Sequence, residues 1–290
     1  MRYLNSAETR EALPMPEAIR AMEYAFAAEA ETPQRIQVGS SLVMPGRLDE
    51  IMAVKVVSTA PGNPAGVVVV FGADGSPVGL VNGPTLTAIR TGAVCGLATS
   101  LLAPAEATTL AMLGAGAMAF DQIEAVRAVR PITRILVWSR NPLNARMVAE
   151  MVGAEHVDDA DDAVTQADVI SCATPATEPI FSERNVRPGA HVNAVGAFTP
   201  EMVELPADLL ERAYVVVDDY AAAAEEAGDL IQAGRLPNTS LRELLAGTHP
   251  EIGEDVTVFK SVGVAAQDVA AAYTALVNAD RLGIGTLLLG

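Results

Sequence analysis

The sequence predicts an α/β protein of two domains, one of them built on a parallel sheet. Three observations predict it. From Thr109 onward, short apolar strands alternate with amphipathic helices, the pattern of parallel strands joined by right-handed crossovers. Ahead of that, Ile51 to Val81 is rich in β-branched residues broken by a turn, a separate β-rich region. The chain has 290 residues, which at roughly 150 per domain allows about two. Half the residues are hydrophobic and 19% are charged, a composition for packed globules rather than disorder.

Taken in order, the first segment is helical: Pro16 suits a first helical position, and Ile19, Met22 and Phe26 recur at helical spacing. Ile51 to Thr59 (IMAVKVVST) is a strand, apolar apart from Lys55. Val67 to Phe71 is a second strand, Ala73-Asp74-Gly75 a turn, and Val78 to Val81 its returning partner. Thr87 to Leu102 is a helix of small and apolar residues with Arg90 inside it. TLAMLGAGAMAFDQIEAVRAV then gives strand, glycine turn and helix. ITRILVWSR is a strand and PLNARMVAEMVG a helix. ADVISCATP, HVNAVGA and AYVVVDD are further strands, and VTVFK leads into a helix from about Val264 to Asp280.

The formal net charge is −17. An acidic surface repels phosphate backbones and anionic lipid, so nucleic acid and membrane surfaces are not expected partners. Cys95 and Cys172 sit in apolar runs and read as buried, inert thiols, too few for a disulfide framework or a structural zinc site. His156, His191 and His249 lack metal-like spacing, and no metal is expected. The amino-terminal residues show no apolar signal region, and the uncharged stretch from Thr91 to Ala105 is too short and too broken to span a bilayer. A cytoplasmic location is the expectation.

The strongest local motif is Gly114-Ala115-Gly116-Ala117-Met118-Ala119, a GxGxxA between an apolar strand and an amphipathic helix. In that context Gly114 permits a tight turn, Gly116 lets backbone approach a pyrophosphate, and Ala119 lets helix and strand pack closely. The helix N-terminus offers free N–H groups and a positive dipole end. This is the pattern of a Rossmann dinucleotide-binding domain. The next strand ends Trp138-Ser139-Arg140-Asn141, without the carboxylate an NAD site places there for the ribose 2′-OH. Ser139 can hydrogen-bond and Arg140 can pair with a 2′-phosphate, or Arg140 is simply a solvated loop residue. NADP(H) is therefore expected over NAD(H), with Asn141 and Asn144 part of the same cofactor set.

Lys55 in an apolar strand either faces water from an edge or is buried and paired. Arg90 raises the same question, and Arg35 alone says little. Together they would make a carboxylate site in an acidic protein. Arginine offers a bidentate fork, and a desolvated lysine beside arginines has a depressed pKa suited to proton donation.

The chain resembles the ornithine cyclodeaminase/mu-crystallin family over essentially its full length. The matching stretches are AVKVVSTAPGNP around Lys55, LTAIRTGA around Arg90-Thr91, LGAGAMA, HVNAVGAFTPEMVEL, VVVDD, AGDL and VFKSVGVAAQD, in the family's order. The resemblance implies a Rossmann domain at 108–263 and a discontinuous α+β substrate and dimerisation domain at 1–107, completed by a C-terminal helix at 264–290. It implies that Arg35, Lys55 and Arg90 hold a substrate carboxylate and assist catalysis. It implies that Thr91 and the glycine turn hold the pyrophosphate. Thr174 and Pro175 would line the cofactor site, with Val195, Ala197 and Ser261 beside the nicotinamide. A homodimer is expected on the same ground.

One stretch departs from the cyclodeaminase pattern. Cyclodeaminases and related alanine dehydrogenases carry an Asp near the position held here by Ala197; this chain reads Gly196-Ala197-Phe198-Thr199-Pro200, with no carboxylate until Glu201. Glu201 and Glu204 are expected at the surface. SSLVMPG also lacks the Glu with which the cyclodeaminase grips its substrate's side chain. The form resembles the ketimine reductase branch. The expected activity is NADPH-dependent reduction of a small cyclic or acyclic α-imino acid. The alternatives are an alanine dehydrogenase-like enzyme and a protein that holds NADPH and a small carboxylate without turnover; ornithine cyclodeamination is disfavoured. Segments 39–44 and 198–202 suggest an apolar side-chain pocket. Asp218-Asp219 reads as a strand end, with a minor site role as the alternative.

Overall fold

The computed structural model describes residues 1–58, 60, 65–247 and 255–288. The Pro61–Pro64 part of the Lys55 motif and His249 lie outside the described residues. The chain forms two compact units, Met1–Ala93 with Val264–Gly290, and Val94–Gly263.

The first unit begins with a strand that no periodicity announces, β1 (Arg2–Leu4). Next come α1 (Ser6–Ala12), closed by an Asn5–Glu8 capping box, and α2 (Met15–Ala27), which has proline in its first turn and buries Met22 and Phe26. β2 (Ala30–Glu31), β3 (Ile36–Val38), β4 (Ser41–Leu48), β5 (Ile51–Ser58), β6 (Gly66–Phe71) and β7 (Pro77–Asn82) follow, then α3 (Gly83–Leu102). β4 to β7 form an antiparallel meander, and β1 joins β7 in parallel.

The register puts Met44, Lys55 and Val68 side by side on one face. That face is covered by the last helix, α11 (Ala265–Leu282). Its alanines let it lie close: a Cβ at Gly46 would meet Ala265 at 2.7 Å. The opposite face carries Met52 and Val56, with Ile36 and Val38 at its margin, all exposed.

The second unit is doubly wound. Its elements are β8 (Thr109–Leu113), α4 (Ala119–Val129), β9 (Arg134–Trp138), α5 (Pro142–Val152), β10 (Glu155–His156), α6 (Ala160–Val164), β11 (Val169–Cys172), β12 (His191–Ala194), α7 (Ala207–Arg212), β13 (Tyr214–Val217), α8 (Tyr220–Glu226), α9 (Gly228–Ala233), β14 (Thr239–Ser240), α10 (Leu241–Leu245) and β15 (Thr257–Lys260). All eight strands run parallel in the order β10-β9-β8-β11-β12-β15-β13-β14. The chain winds one way from β8 to β10 and the other way from β11, so the switch point lies between β8 and β11, where such sheets bind ligands. A strand buried on both faces favours apolar residues, and β8 and β13 supply Leu110–Leu113 and Val215–Val217, whereas β12 buries His191 and Asn193 with hydrogen-bond partners in Thr257 and Thr99. β16 (Thr286–Leu287) then pairs with β1 in the first unit's sheet.

The division between units falls at Ala93/Val94, inside α3, rather than at the expected 107/108. The later turns of α3 are bonded into the Rossmann unit. Asn193 donates to Thr99 Oγ1 at 2.9 Å, and the Arg130 guanidinium donates to the carbonyls of Ser100, Ala103 and Pro104. By length and hydropathy α3 would suffice to cross a membrane, but 83% of its most apolar window is buried in the protein, as in a core helix.

Candidate active site

The glycine turn sits where the motif predicts, at the carboxyl end of β8. Gly114 has φ +115°, and a Cβ there would meet the carbonyl oxygen of Ala173 at 2.5 Å, so the turn and the chain after β11 are in backbone contact. Gly116 is different: nothing lies within 4 Å of a Cβ built on it. Its glycine answers to no neighbour in the protein, which is what a cradle for a ligand's phosphates requires. Helix α4 starts just beyond, its N-cap residue Met118 making no side-chain cap, so the positive end of the helix dipole faces the turn.

A cavity of about 250 Å³ opens here. It is lined by Gly114, Ala115, Gly116, Trp138, Ser139, Arg140, Asn141, Asn144 and the Ala173–Ala176 stretch. Among its lining are the sequence-predicted Thr174 and Pro175. Ala117 and Met118 complete the turn into α4. Arg140, Asn141 and Asn144 are exposed, and no carboxylate lines the cavity. Asn141 also caps α5 by accepting from Leu143 N–H at 3.1 Å. The residues fit a dinucleotide. Val195 is half-buried directly after β12. Ala197 and Ser261 are buried. Ser261 donates to Asp218 Oδ2 at 2.6 Å, and Gly263 N–H donates to the same oxygen at 2.7 Å. Asp218 is thus the anchor of the turn after β15, while Asp219 caps α8.

In the first unit the structure joins two of the three predicted basic residues, Lys55 and Arg90, through a shared carboxylate. Lys55 is 2% exposed, which overturns the water-facing alternative. Its Nζ lies 2.6 Å from Asp268 Oδ2. Arg90 Nε donates to Asp268 Oδ1 at 3.2 Å, and its terminal nitrogen donates to Gln267 Oε1 at 2.7 Å. Asp268 and Gln267 stand in the first turn of α11. Burial drives the Lys55 pKa down to about 8, Asp268 pulls it up, and the positive charges of Arg90 and Arg35 push it down again. Arg35, in the segment before β3, is therefore within electrostatic reach. Two buried cations share one carboxylate, leaving positive charge for an anionic ligand. Thr91 follows Arg90 and is also buried. Gln267 and Asp268 were missed as site residues. The only sequence signal was their place in the AAQD stretch after KSVG.

Glu204 corrects an expectation. It is fully buried, not at the surface. Its Oε1 accepts from Thr174 N–H at 2.6 Å and Thr174 Oγ1 at 2.8 Å; its Oε2 accepts from Gly196 N–H at 2.7 Å and Ala197 N–H at 3.1 Å. Burial pushes its carboxyl up, and Lys260 draws it back. Glu201 is exposed, as expected. His191 is buried between Thr257 and Asn193, and burial takes its pKa down to about 3, so it is a neutral structural group. Cys95 and Cys172 are buried free thiols, and burial raises the Cys172 pKa well above its usual value.

The family model for the ornithine cyclodeaminase/mu-crystallin family matches residues 3–280. The ketimine reductase mu-crystallin of Macropus fuliginosus is 37% identical over 74% of this chain and 69% of its own. A Delta(1)-pyrroline-2-carboxylate reductase of Bacillus cereus is 34% identical, with 98% of each chain covered. Among solved structures, the Thermococcus litoralis Delta(1)-pyrroline-2-carboxylate reductase in complex with NADH and L-proline superposes with a TM-score of 0.93. It is 31% identical, covering 99% of this chain and 100% of that one.

Proposed function

The chain belongs to the ornithine cyclodeaminase/mu-crystallin family, and from that premise we propose that it reduces small α-imino acids with NADPH, cyclic ketimines such as Δ1-pyrroline-2-carboxylate or Δ1-piperideine-2-carboxylate foremost. It is an NAD(P)H-dependent oxidoreductase of C=N bonds. The observation that carries the reading is the Lys55–Asp268–Arg90 cluster. It presents buried, preorganised cations for a carboxylate, with a lysine whose pKa of about 8 suits proton donation.

The reduced nicotinamide, when bound, supplies the hydride. Gly114 to Met118 and the α4 N-terminus would hold the pyrophosphate. Ser139, Arg140, Asn141 and Asn144 would hold the adenosine end, and Thr174, Pro175, Val195, Ala197 and Ser261 would flank the nicotinamide. Arg35 and Arg90 clamp the substrate carboxylate. Lys55 orients the imine and holds a proton at Nζ for its nitrogen. Hydride and proton together convert C=N to CH–NH. An iminium carbon is already electrophilic, so no strong general base is needed in this direction.

Amino-acid dehydrogenation would call for an acid–base carboxylate to manage loss of water. Glu204, the buried carboxylate beside Ala197, has its acceptor sites filled by four donors and is not free for that role. The preference for NADPH is supported by Arg140 and by the absence of a carboxylate around the cavity. The homodimer is supported by the exposed apolar sheet face at Met52 and Val56. A cytoplasmic enzyme would suit the reduced, buried cysteines.

The test is an assay panel following oxidation of NADPH and NADH with cyclic imines and, separately, with pyruvate plus ammonia. Preferential turnover of the cyclic imines with NADPH is expected. Turnover only with pyruvate and ammonia would make it a dehydrogenase. Tight NADPH binding without oxidation would make it a carrier. A clear NADH preference would overturn the role of Arg140.

A further inference from the structure

Three charged side chains of the Rossmann unit take no part in the chemistry above, yet none reaches water. Glu204 and Lys260 are fully buried and Asp229 is 1% exposed. Buried charges are costly unless each is paired and hydrogen-bonded, and here they are chained together. Lys260, the last residue of β15, has its Nζ 2.7 Å from Asp229 Oδ2 and donates to the Ala197 carbonyl at 2.5 Å. Asp229 Oδ1 accepts from Glu204 N–H at 2.6 Å and Leu205 N–H at 2.9 Å. The Glu204 carboxylate ends the chain on Thr174, Gly196 and Ala197.

What the cluster grips is therefore the pair of loops leaving the adjacent strands β11 and β12. These loops touch at backbone distance. A Cβ on Gly196 would lie 2.2 Å from Thr174 O and 2.3 Å from Thr174 N. Asp229 is held to the same region by Gly228, where a Cβ would lie 2.1 Å from Met202 O. A carboxylate has about four acceptor sites and no donor, so only the ionised acid satisfies four donors at once. An amide in its place would turn a donor toward the donors of one loop.

We propose that Glu204, Asp229 and Lys260 are positioning residues that lock the Thr174–Ala176 and Val195–Ala197 loops together and thereby fix the pose of the nicotinamide ring. This rests on the reading that those loops receive the nicotinamide half of the cofactor. It gives the AGDL and FKSVG stretches a physical role, because they supply Gly228, Asp229 and Lys260. The adenosine side of the crevice, at Ser139–Asn144, receives none of these bonds. Loss of the lock should therefore separate cofactor affinity from catalysis.

Trp138, the sole tryptophan of the chain, lines the crevice, so NADPH bound there should quench its emission. The emission intensity and anisotropy of the bound reduced nicotinamide report how firmly its ring is held. Wild type, Glu204→Gln and Asp229→Asn are titrated with NADPH by both signals and assayed on Δ1-pyrroline-2-carboxylate with protiated and 4-deuterated cofactor. In the variants the Kd should stay within about threefold while kcat falls roughly 10- to 100-fold, as for a reacting group misplaced by about 1 Å. Ring emission should drop and the deuterium effect should rise. Asp229→Asn keeps an oxygen for both amides and serves if Glu204→Gln does not fold.

Unchanged ring emission and kcat in the folded variants would overturn the proposal. So would a fall in kcat matched by an equal loss of cofactor binding. Wild type that binds NADPH but reduces no imine would overturn the functional reading alone, because ring emission still tests the lock. Wild type that does not quench with NADPH would overturn both.

Discussion

Lys55 shows how a residue acquires chemistry from its surroundings. In water its amine would be charged far above neutral pH; here burial holds the pKa at about 8 against the pull of Asp268. Replacing it with alanine should lower kcat on the cyclic imine by roughly 100-fold or more, the scale of a lost general acid. The NADPH Kd read from Trp138 should stay nearly unchanged; loss of cofactor binding would show that Lys55 belongs to the cofactor site instead. The same pKa sets a pH profile. The protonated donor is present below about pH 8 and is lost above it, so kcat/KM for reduction should fall on the alkaline side. Asp268→Asn removes the group that raises the Lys55 pKa, so this alkaline limb should move to lower pH. Titration of the substrate imine would not move with that substitution, so an unmoved limb would assign it to the substrate. The substitution also leaves two buried cations facing each other, at a stability cost of about 3–5 kcal/mol, visible as a lower Tm.

At the scale of the element, the glycine turn separates two reasons for a glycine. Gly114 needs its left-handed backbone and has Ala173 O against it, whereas Gly116 has open space. Gly114→Ala should destabilise the unliganded protein by about 1–3 kcal/mol. Gly116→Ala should leave its Tm unchanged yet weaken NADPH binding at least tenfold, or about 1.4 kcal/mol. Normal NADPH titration of Gly116→Ala would mean that the pyrophosphate does not sit there. Elements of this kind were legible in the sequence because local pattern determines them. Apolar strands, amphipathic helices and a GxGxxA at their junction announce β8 to α5 without any long-range knowledge. β1, three residues long, has no room for a period. Glu204 and Lys260 were illegible for another reason: a charged residue is read as solvated unless its partner is known, and Asp229 is recruited from a different element. The Lys55 cluster could be assembled only by resemblance, and even then Asp268, which joins the two cations, stayed hidden in an alanine-rich helix start.

For the whole molecule, the net charge of −17 bears on both ligands and partners. Lys55 and Lys260 are the sequence's only lysines, and both are buried, so the protein's surface cations are arginines. Two copies of such a chain repel at long range, and a short-range apolar contact is one means of holding them together that does not depend on charge. The uncovered face of the first unit's sheet offers one, with Met52 and Val56 exposed at 42% and 37% and Ile36 and Val38 more so. Antiparallel sheets with a bare apolar face are normally covered. A dimer built this way has a recognisable salt response. Raising ionic strength from about 0.01 M to about 0.15 M shortens the Debye length from about 30 Å to about 8 Å, which screens the repulsion and leaves the apolar contact intact. Dimerisation measured by sedimentation velocity should therefore strengthen with salt, whereas an interface held by ion pairs would weaken. Val56→Glu should shift the protein toward monomer while leaving NADPH quenching of Trp138 intact, because Trp138 belongs to the other unit. A dimer indifferent to Val56→Glu, or one that dissociates as salt is added, would place the subunit contact on a different surface.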